Sequence, residues 1–447
     1  MKTFLYLFFL VFVFLNSFSQ NTFKISSQKK VAKIPFTLVN NLIILKTKIN
    51  NQDLNLVFDT GVRQTVLINM QNNDSLDYKK FSKITFRGLG NKNNQIVGLK
   101  STGNHILIHN QIANIDATFF VVTNFDFQFS ETMGVEINGF IGGELIKNHL
   151  VKIDYKNKWI YFYPPNSFSK KQLSKYREYP IQIISGKPYV NVQVAFNKNE
   201  KPQQINLLLD TGNSDALWIF KTKQISIPKN KKSIYDYMGL GFSGSIEGKR
   251  IKSYLFSFDS KFKFKNVYTA LPDSIYFSKF SRNHINGMLG NEILRRFFII
   301  FDYQNNKLYL KKYRYNYRQD FNFNDSGLYL AYKGKIPVRI KTLATSYKLI
   351  DNSTSNNHLI AFSSEYTYKF KLVDRIIVNY VRKDSPAEKA GLLKDDVLLK
   401  INGESIYQYR LDELDKKFFY KKSKKLYFLI ERDGIQLAFR VNNKDPF

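Results

Sequence analysis

Two aspartates occupy the same local setting 151 positions apart. Leu56-Val57-Phe58-Asp59-Thr60-Gly61 and Leu207-Leu208-Leu209-Asp210-Thr211-Gly212 each carry an apolar strand into Asp-Thr-Gly. A carboxyl at the end of a buried strand is fixed at the floor of a cleft. The glycine after it lets the backbone turn sharply and give an amide to the carboxylate, and the threonine hydroxyl is placed to bond across to its counterpart. Two such carboxyls on a pseudo-twofold axis cannot both ionise cheaply, so they share one proton and titrate as a unit. One can then take a proton from a bound water while the other protonates a scissile carbonyl. That chemistry needs no metal, cofactor or covalent intermediate.

The elements around each aspartate repeat as well. Ile137-Asn138-Gly139-Phe140-Ile141-Gly142-Gly143-Glu144 is echoed by Ile285-Asn286-Gly287-Met288-Leu289-Gly290-Asn291-Glu292, and Ile153-Asp154-Tyr155 by Phe301-Asp302-Tyr303, both at an offset of 148. Near-constant offsets over separated motifs indicate a duplicated domain. Short β-branched and aromatic runs broken by Asn, Gly and Asp predict two all-β lobes at 30–165 and 179–313, joined by a polar linker. Each lobe opens with a strand, a turn and a strand, and carries one short helix after its glycine motif, at 143–148 and 291–296. Asp154 and Asp302 repeat too, but their Asp-Tyr contexts read as hairpin turns.

A different texture occupies 320–447. Asp384-Ser385-Pro386 caps a helix that Gly391 ends, a strand at 397–401 runs into the Asn402-Gly403 turn, and a helix at 411–420 precedes strands at 426–431 and 436–441. The stretch 345–368 reads as a polar insertion. At the other end, Lys2 and the apolar run from Phe4 to Leu15, followed by Ser17 and Ser19, predict a signal peptide over 1–19. Export to a bacterial periplasm or beyond is therefore expected. The chain has no cysteine, which excludes disulfides and thiol nucleophiles.

These residues resemble the aspartic peptidases of the pepsin and retropepsin clan, in the bacterial form that ends in a PDZ domain. The paired Asp-Thr-Gly triplets and the later Phe140-Ile141-Gly142 and Met288-Leu289-Gly290 are similar to that clan's signature, and Ser385-Pro386-Ala387, Ala390-Gly391-Leu392 and Ile401-Asn402-Gly403 to bacterial PDZ domains. The resemblance implies an all-β fold of two acid-protease β-barrel lobes followed by an α+β PDZ domain. It implies Asp59 and Asp210 as the catalytic pair, supported by Thr60, Gly61, Thr211 and Gly212, with Gly142 and Gly290 letting backbone pass beneath each aspartate. Gly88 and Gly90, repeated as Gly239 and Gly241, are candidates for flap-like hairpins; Gly327, Leu328 and Leu330 are candidates for PDZ peptide binding. The pattern departs from the clan at Val62 and Asn213, where a small or hydroxyl-bearing residue is usual. The implied activity is endopeptidase cleavage of peptides or unfolded proteins by a monomer, without cofactor. The alternative is an inactive, protease-like peptide-binding scaffold.

Other chemistries find little support. The formal charge of +32 is spread along the chain with no nucleic-acid recognition module, so unspecific attraction to anionic envelope surfaces is the reading. Gly239-Leu240-Gly241-Phe242-Ser243-Gly244 fits a dinucleotide fingerprint, but it opens no helix and its twin at Gly88-Leu89-Gly90 favours a hairpin. His105 and His109 lack a third ligand at metal spacing, so no metal site is expected.

Overall fold

A computed structural model describes residues 22–68, 79–86, 96–122, 129–241, 244–277, 285–350, 359–414 and 425–447. The expected signal peptide and the candidate flap residues Gly88 and Gly90 lie outside these. The chain divides into two compact units: residues up to 129 with 136–321 and Phe447, and residues 130–135 with 322–446.

The first unit is a duplicated all-β structure. In its first lobe Leu42–Ile49 and Gln52–Asp59 form a hairpin across Asn50 and Asn51, both in left-handed conformations that asparagine tolerates. Gly139–Gly142 then inserts parallel to Gln52–Asp59 and antiparallel to Val66–Leu67. The second lobe repeats this: Lys187–Ala195 pairs with Gln203–Leu209, and Gly287–Leu289 lies parallel to Gln203–Leu209 and antiparallel to Leu217–Ile219. The repeated Asn-Gly gives each insertion its fit. Asn138 Oδ1 accepts the Asn55 amide at 2.8 Å and Asn286 Oδ1 the Asn206 amide at 3.1 Å.

A six-stranded sheet joins the lobes, with Leu150–Asp154 antiparallel to Phe297–Asp302 at its centre. Lys152 pairs with Ile300, its own counterpart in the repeat, so the internal twofold axis passes through that pair. Asp154 and Asp302 hold turns, each accepting from the amide and side chain of an asparagine three residues on, Asn157 and Asn305. The short helices observed are Gly143–Ile146 and Asn291–Leu294.

The second unit packs Leu328, Val378, Ala387, Leu398, Phe428 and their neighbours into one core. Its helix Pro386–Lys389 begins at Ser385, whose Oγ accepts the Glu388 amide at 3.2 Å, and the chain leaves through Gly391 at φ +92°. Strand Val397–Ile401 turns at Asn402 and Gly403, and Lys425–Arg432 pairs with Ile435–Asn442. Leu411–Leu414 is helical, and the rest of the expected 411–420 helix lies outside the described residues. The stretch 345–368 is not a polar insertion between strands. Its described residues belong to a long hairpin in which Leu328–Ile350 pairs with Leu359–Val381. A two-strand ladder needs no core beneath it, so polar residues can stand in its described strands.

Candidate active site

The two lobes bring Asp59 and Asp210 together. Each sits at or just beyond the end of a central strand, and both are buried, at 7% and 8% exposure. Their side chains hydrogen-bond to one another. The glycine two residues on donates to each: Gly61 N–H to Asp59 Oδ1 at 2.6 Å and Gly212 N–H to Asp210 Oδ1 at 2.9 Å.

The threonines lock the pair across the axis. Thr60 Oγ1 donates to the Leu209 carbonyl at 2.6 Å, and Thr211 Oγ1 to the Phe58 carbonyl at 2.8 Å. Each hydroxyl oxygen also accepts the other threonine's amide at 3.0 Å. The cross-lobe bond expected of the hydroxyls thus runs mainly to backbone, which ties each aspartate strand directly to the other.

Glycine is required here by close approach. A Cβ on Gly212 would lie 2.3 Å from Asp59 Cγ, and one on Gly61 would lie 2.9 Å from an oxygen of each aspartate. Gly142 pairs in register with Asp59, and a Cβ there would fall 1.6 Å from the Asp59 carbonyl oxygen. Gly290 differs, because its nearest neighbours are the carbonyls of Asp215 and Asn213 rather than Asp210.

Burial pushes both carboxyls above the ordinary range. For Asp210 the charge of Asp59 adds to this, holding it well above that range. For Asp59 the bond from Asp210 and the amides of Gly61 and Val62 pull back down. The two carboxyls therefore hold one proton between them and titrate as a single unit. Val62 contributes through its backbone, which is why a side chain without a hydrogen-bonding group is compatible with the position. Asn213 bends back onto its own loop, its Oδ1 accepting the Asp215 amide at 2.9 Å.

Sequence reasoning missed several neighbours. Lys187 follows the Ser185-Gly186 turn, and its positive charge lowers both carboxyls. Tyr155 donates to Asn291 Oδ1 at 2.6 Å, and Asn291 Nδ2 to the Thr211 carbonyl at 2.6 Å, supporting the second Asp-Thr-Gly from below. Asn291 could have been suspected from its place beside Gly290; Lys187 carries no sequence signal.

Of the flap candidates, Gly239 and Gly241 lie in Ser233–Gly241, which forms a hairpin with Gly244–Ser257 rather than a nucleotide-binding turn. Among the PDZ candidates, Leu328 and Leu330 are buried in the core, so only their backbone can face a ligand. Gly327 and Leu328 amides donate to Asn324 Oδ1 and Ser326 Oγ. The strand they begin is the edge of its sheet among the described strands.

The PDZ domain family matches residues 377–417, so the second unit carries a PDZ domain. No curated protein matches the chain. Among solved structures, an aspartic proteinase from Irpex lacteus is similar at 11% identity and a TM-score of 0.36, covering 63% of this chain and 97% of that one.

Proposed function

We propose that this chain is an exported aspartic endopeptidase in which Asp59 and Asp210 act as one acid–base unit. The observation that carries the reading is the mutually hydrogen-bonded, buried carboxyl pair, built from two copies of one strand-turn unit. The ionised member of the pair takes a proton from a water molecule, whose oxygen attacks the scissile carbonyl carbon, while the protonated member gives its proton to the carbonyl oxygen. The tetrahedral intermediate then collapses: the C–N bond breaks, the amine leaves with the proton taken from the water, and one hydroxyl returns its proton to the carboxyl that had given one up. The glycine hairpin at Gly239 and Gly241 would cover bound peptide, and the PDZ domain would recruit chain termini or partners by strand addition.

Cleavage of a mixed unstructured peptide library, scanned from acid to neutral pH and with a pepstatin-type inhibitor alongside, tests this. Asp59→Asn and Asp210→Asn are each expected to reduce cleavage at least about 100-fold while the protein stays folded. Full activity in either variant would refute the reading. An inactive parent that captures peptides as well as its double variant would make the chain a binding scaffold.

A further inference from the structure

The hairpin of Leu328–Ile350 and Leu359–Val381 extends well beyond the core it springs from. Past the single pairing of Ile377 with Val397, neither strand has a third partner among the described strands. A two-stranded ribbon in water is marginally stable on its own. Directly opposed residues of an antiparallel pair share a face, so the register sorts this arm into two different sides.

One side carries Tyr347, Phe362, Tyr366, Tyr368 and Phe370. Leu343 and Leu372 fall on the same side, and all seven are more than half exposed, from 52% at Tyr368 to 75% at Phe370. Arg339 and Lys341 lie among them, the guanidinium 3.5 Å from the Tyr368 ring centre and the ammonium 3.8 Å from that of Tyr366. Between Pro337 and Tyr347, and between Phe362 and Leu372, this side has no acid, whereas Glu365 stands on the other. The stripe spans roughly 35 Å at the usual rise per strand residue.

We propose that this aromatic and cationic face is a docking surface for an anionic lipid bilayer. Aromatic side chains settle at the level of lipid headgroups, and Lys and Arg flanking them are drawn to negative surface charge while their stems stay in apolar surroundings. The composition argues against two other occupants. A second copy laid face to face would gather the Arg339 and Lys341 of both copies into one interface where this side offers no acid to pair them. A nucleic-acid strand would find only two cations for its phosphates, both already seated over the rings on which bases would stack.

The test uses the chain from Gln20, which keeps every described residue and omits the apolar run that would itself enter a bilayer. Co-sedimentation is measured with vesicles of phosphatidylcholine alone and mixed with phosphatidylglycerol. The parent should bind the anionic mixture in a salt-sensitive way. Phe362→Ser with Phe370→Ser should weaken that binding by about tenfold or more, and Arg339→Gln with Lys341→Gln should weaken it and lower its salt sensitivity. Thr342→Gln with Thr367→Gln, on the other face, should change nothing. Should the serine pair fail to fold, the arginine–lysine pair on the exposed surface decides alone. Equal vesicle binding by parent and face variants overturns the proposal. So does a parent that ignores vesicles but binds a uridine oligonucleotide, or dimerises, through these same residues.

Discussion

The two lobes preserve the parts that touch the carboxyl pair and differ in the shell behind it. Glu292 in the second lobe is richly paired: Arg295 and Arg296 donate to it, and Asn41 reaches over from the first lobe's turn at 3.0 Å. Among the described residues its counterpart Glu144 is paired with Thr65, which donates its amide at 2.8 Å and its hydroxyl. The positions that would brace Glu144 hold Lys147 and Asn148 in place of the arginines, and the turn that reaches over from the second lobe ends in Gly186, which has no side chain to offer. Burial consequently pushes Glu144 up to about 7. The carboxyl pair has matching neighbours in both lobes, while the braces behind it differ.

The sharpest way to break this comparison is to neutralise each glutamate. Glu292→Gln strands Arg296, whose side chain is 1% exposed, without its countercharge, and should destabilise by about 3 kcal/mol or more at neutral pH. Glu144→Gln should act in the opposite direction. Because the folded carboxyl holds its proton more tightly than the unfolded one, ionisation penalises the folded state as pH rises from about 4.5 to about 7, and the penalty is constant above that. The amide substitution removes it, so denaturant midpoints should show no gain at pH 4 and a gain of about 3 kcal/mol at pH 8. A gain that is equal at both pH values would sink the argument.

The glycines give a smaller contrast. Gly212→Ala drives a methyl into Asp59 at 2.3 Å and Gly61→Ala meets carboxyl oxygens at 2.9 Å. Melting should show about 1–3 kcal/mol lost in the first and less in the second, with cleavage following the same order. Equal losses would mean the two carboxyls are more symmetric than the packing implies.

The tyrosines beneath the site differ in the same manner. Tyr155 donates to Asn291, but the counterpart of Asn291 is Gly143, and the buried Tyr303 hydroxyl has no partner among the described residues. A Cβ at Gly143 would fall 2.8 Å from the Gly186 carbonyl oxygen, so the crossing turn leaves no room for an asparagine. Tyr155→Phe should cost about 1–2 kcal/mol in thermal unfolding, whereas Tyr303→Phe should be neutral or stabilising.

How much of this could be read from the chain depends on whether the signal is local. Asp59 and Asp210, their Thr-Gly neighbours and the Asn138 and Asn286 braces sit in short runs that repeat, and repetition exposes them. The helix at Ser385 and the Asn402-Gly403 turn carry their own capping and turn chemistry. Lys187 and Asn41 act through turns that reach from one lobe to the other, a relation that no spacing encodes. The arm shows a third case. The alternation of Tyr366, Tyr368, Phe370 and Leu372 is a strand signal, but strand periodicity normally implies a core on one side, and here that side is open.

Lys187 offers the finest test of lobe asymmetry, since the first residue after the corresponding turn of the first lobe is the apolar Leu42. Its charge lowers both members of the carboxyl pair, so it favours their ionisation. Lys187→Met should leave the fold and the maximal cleavage rate nearly intact. Both limbs of the pH–activity profile should move to higher pH, because each proton is then held more tightly. Lys187→Arg keeps the charge and should restore the parent profile. A profile that stays fixed in Lys187→Met, or that shifts equally in Lys187→Arg, would show that the residue shapes the cleft without tuning the proton the two lobes share.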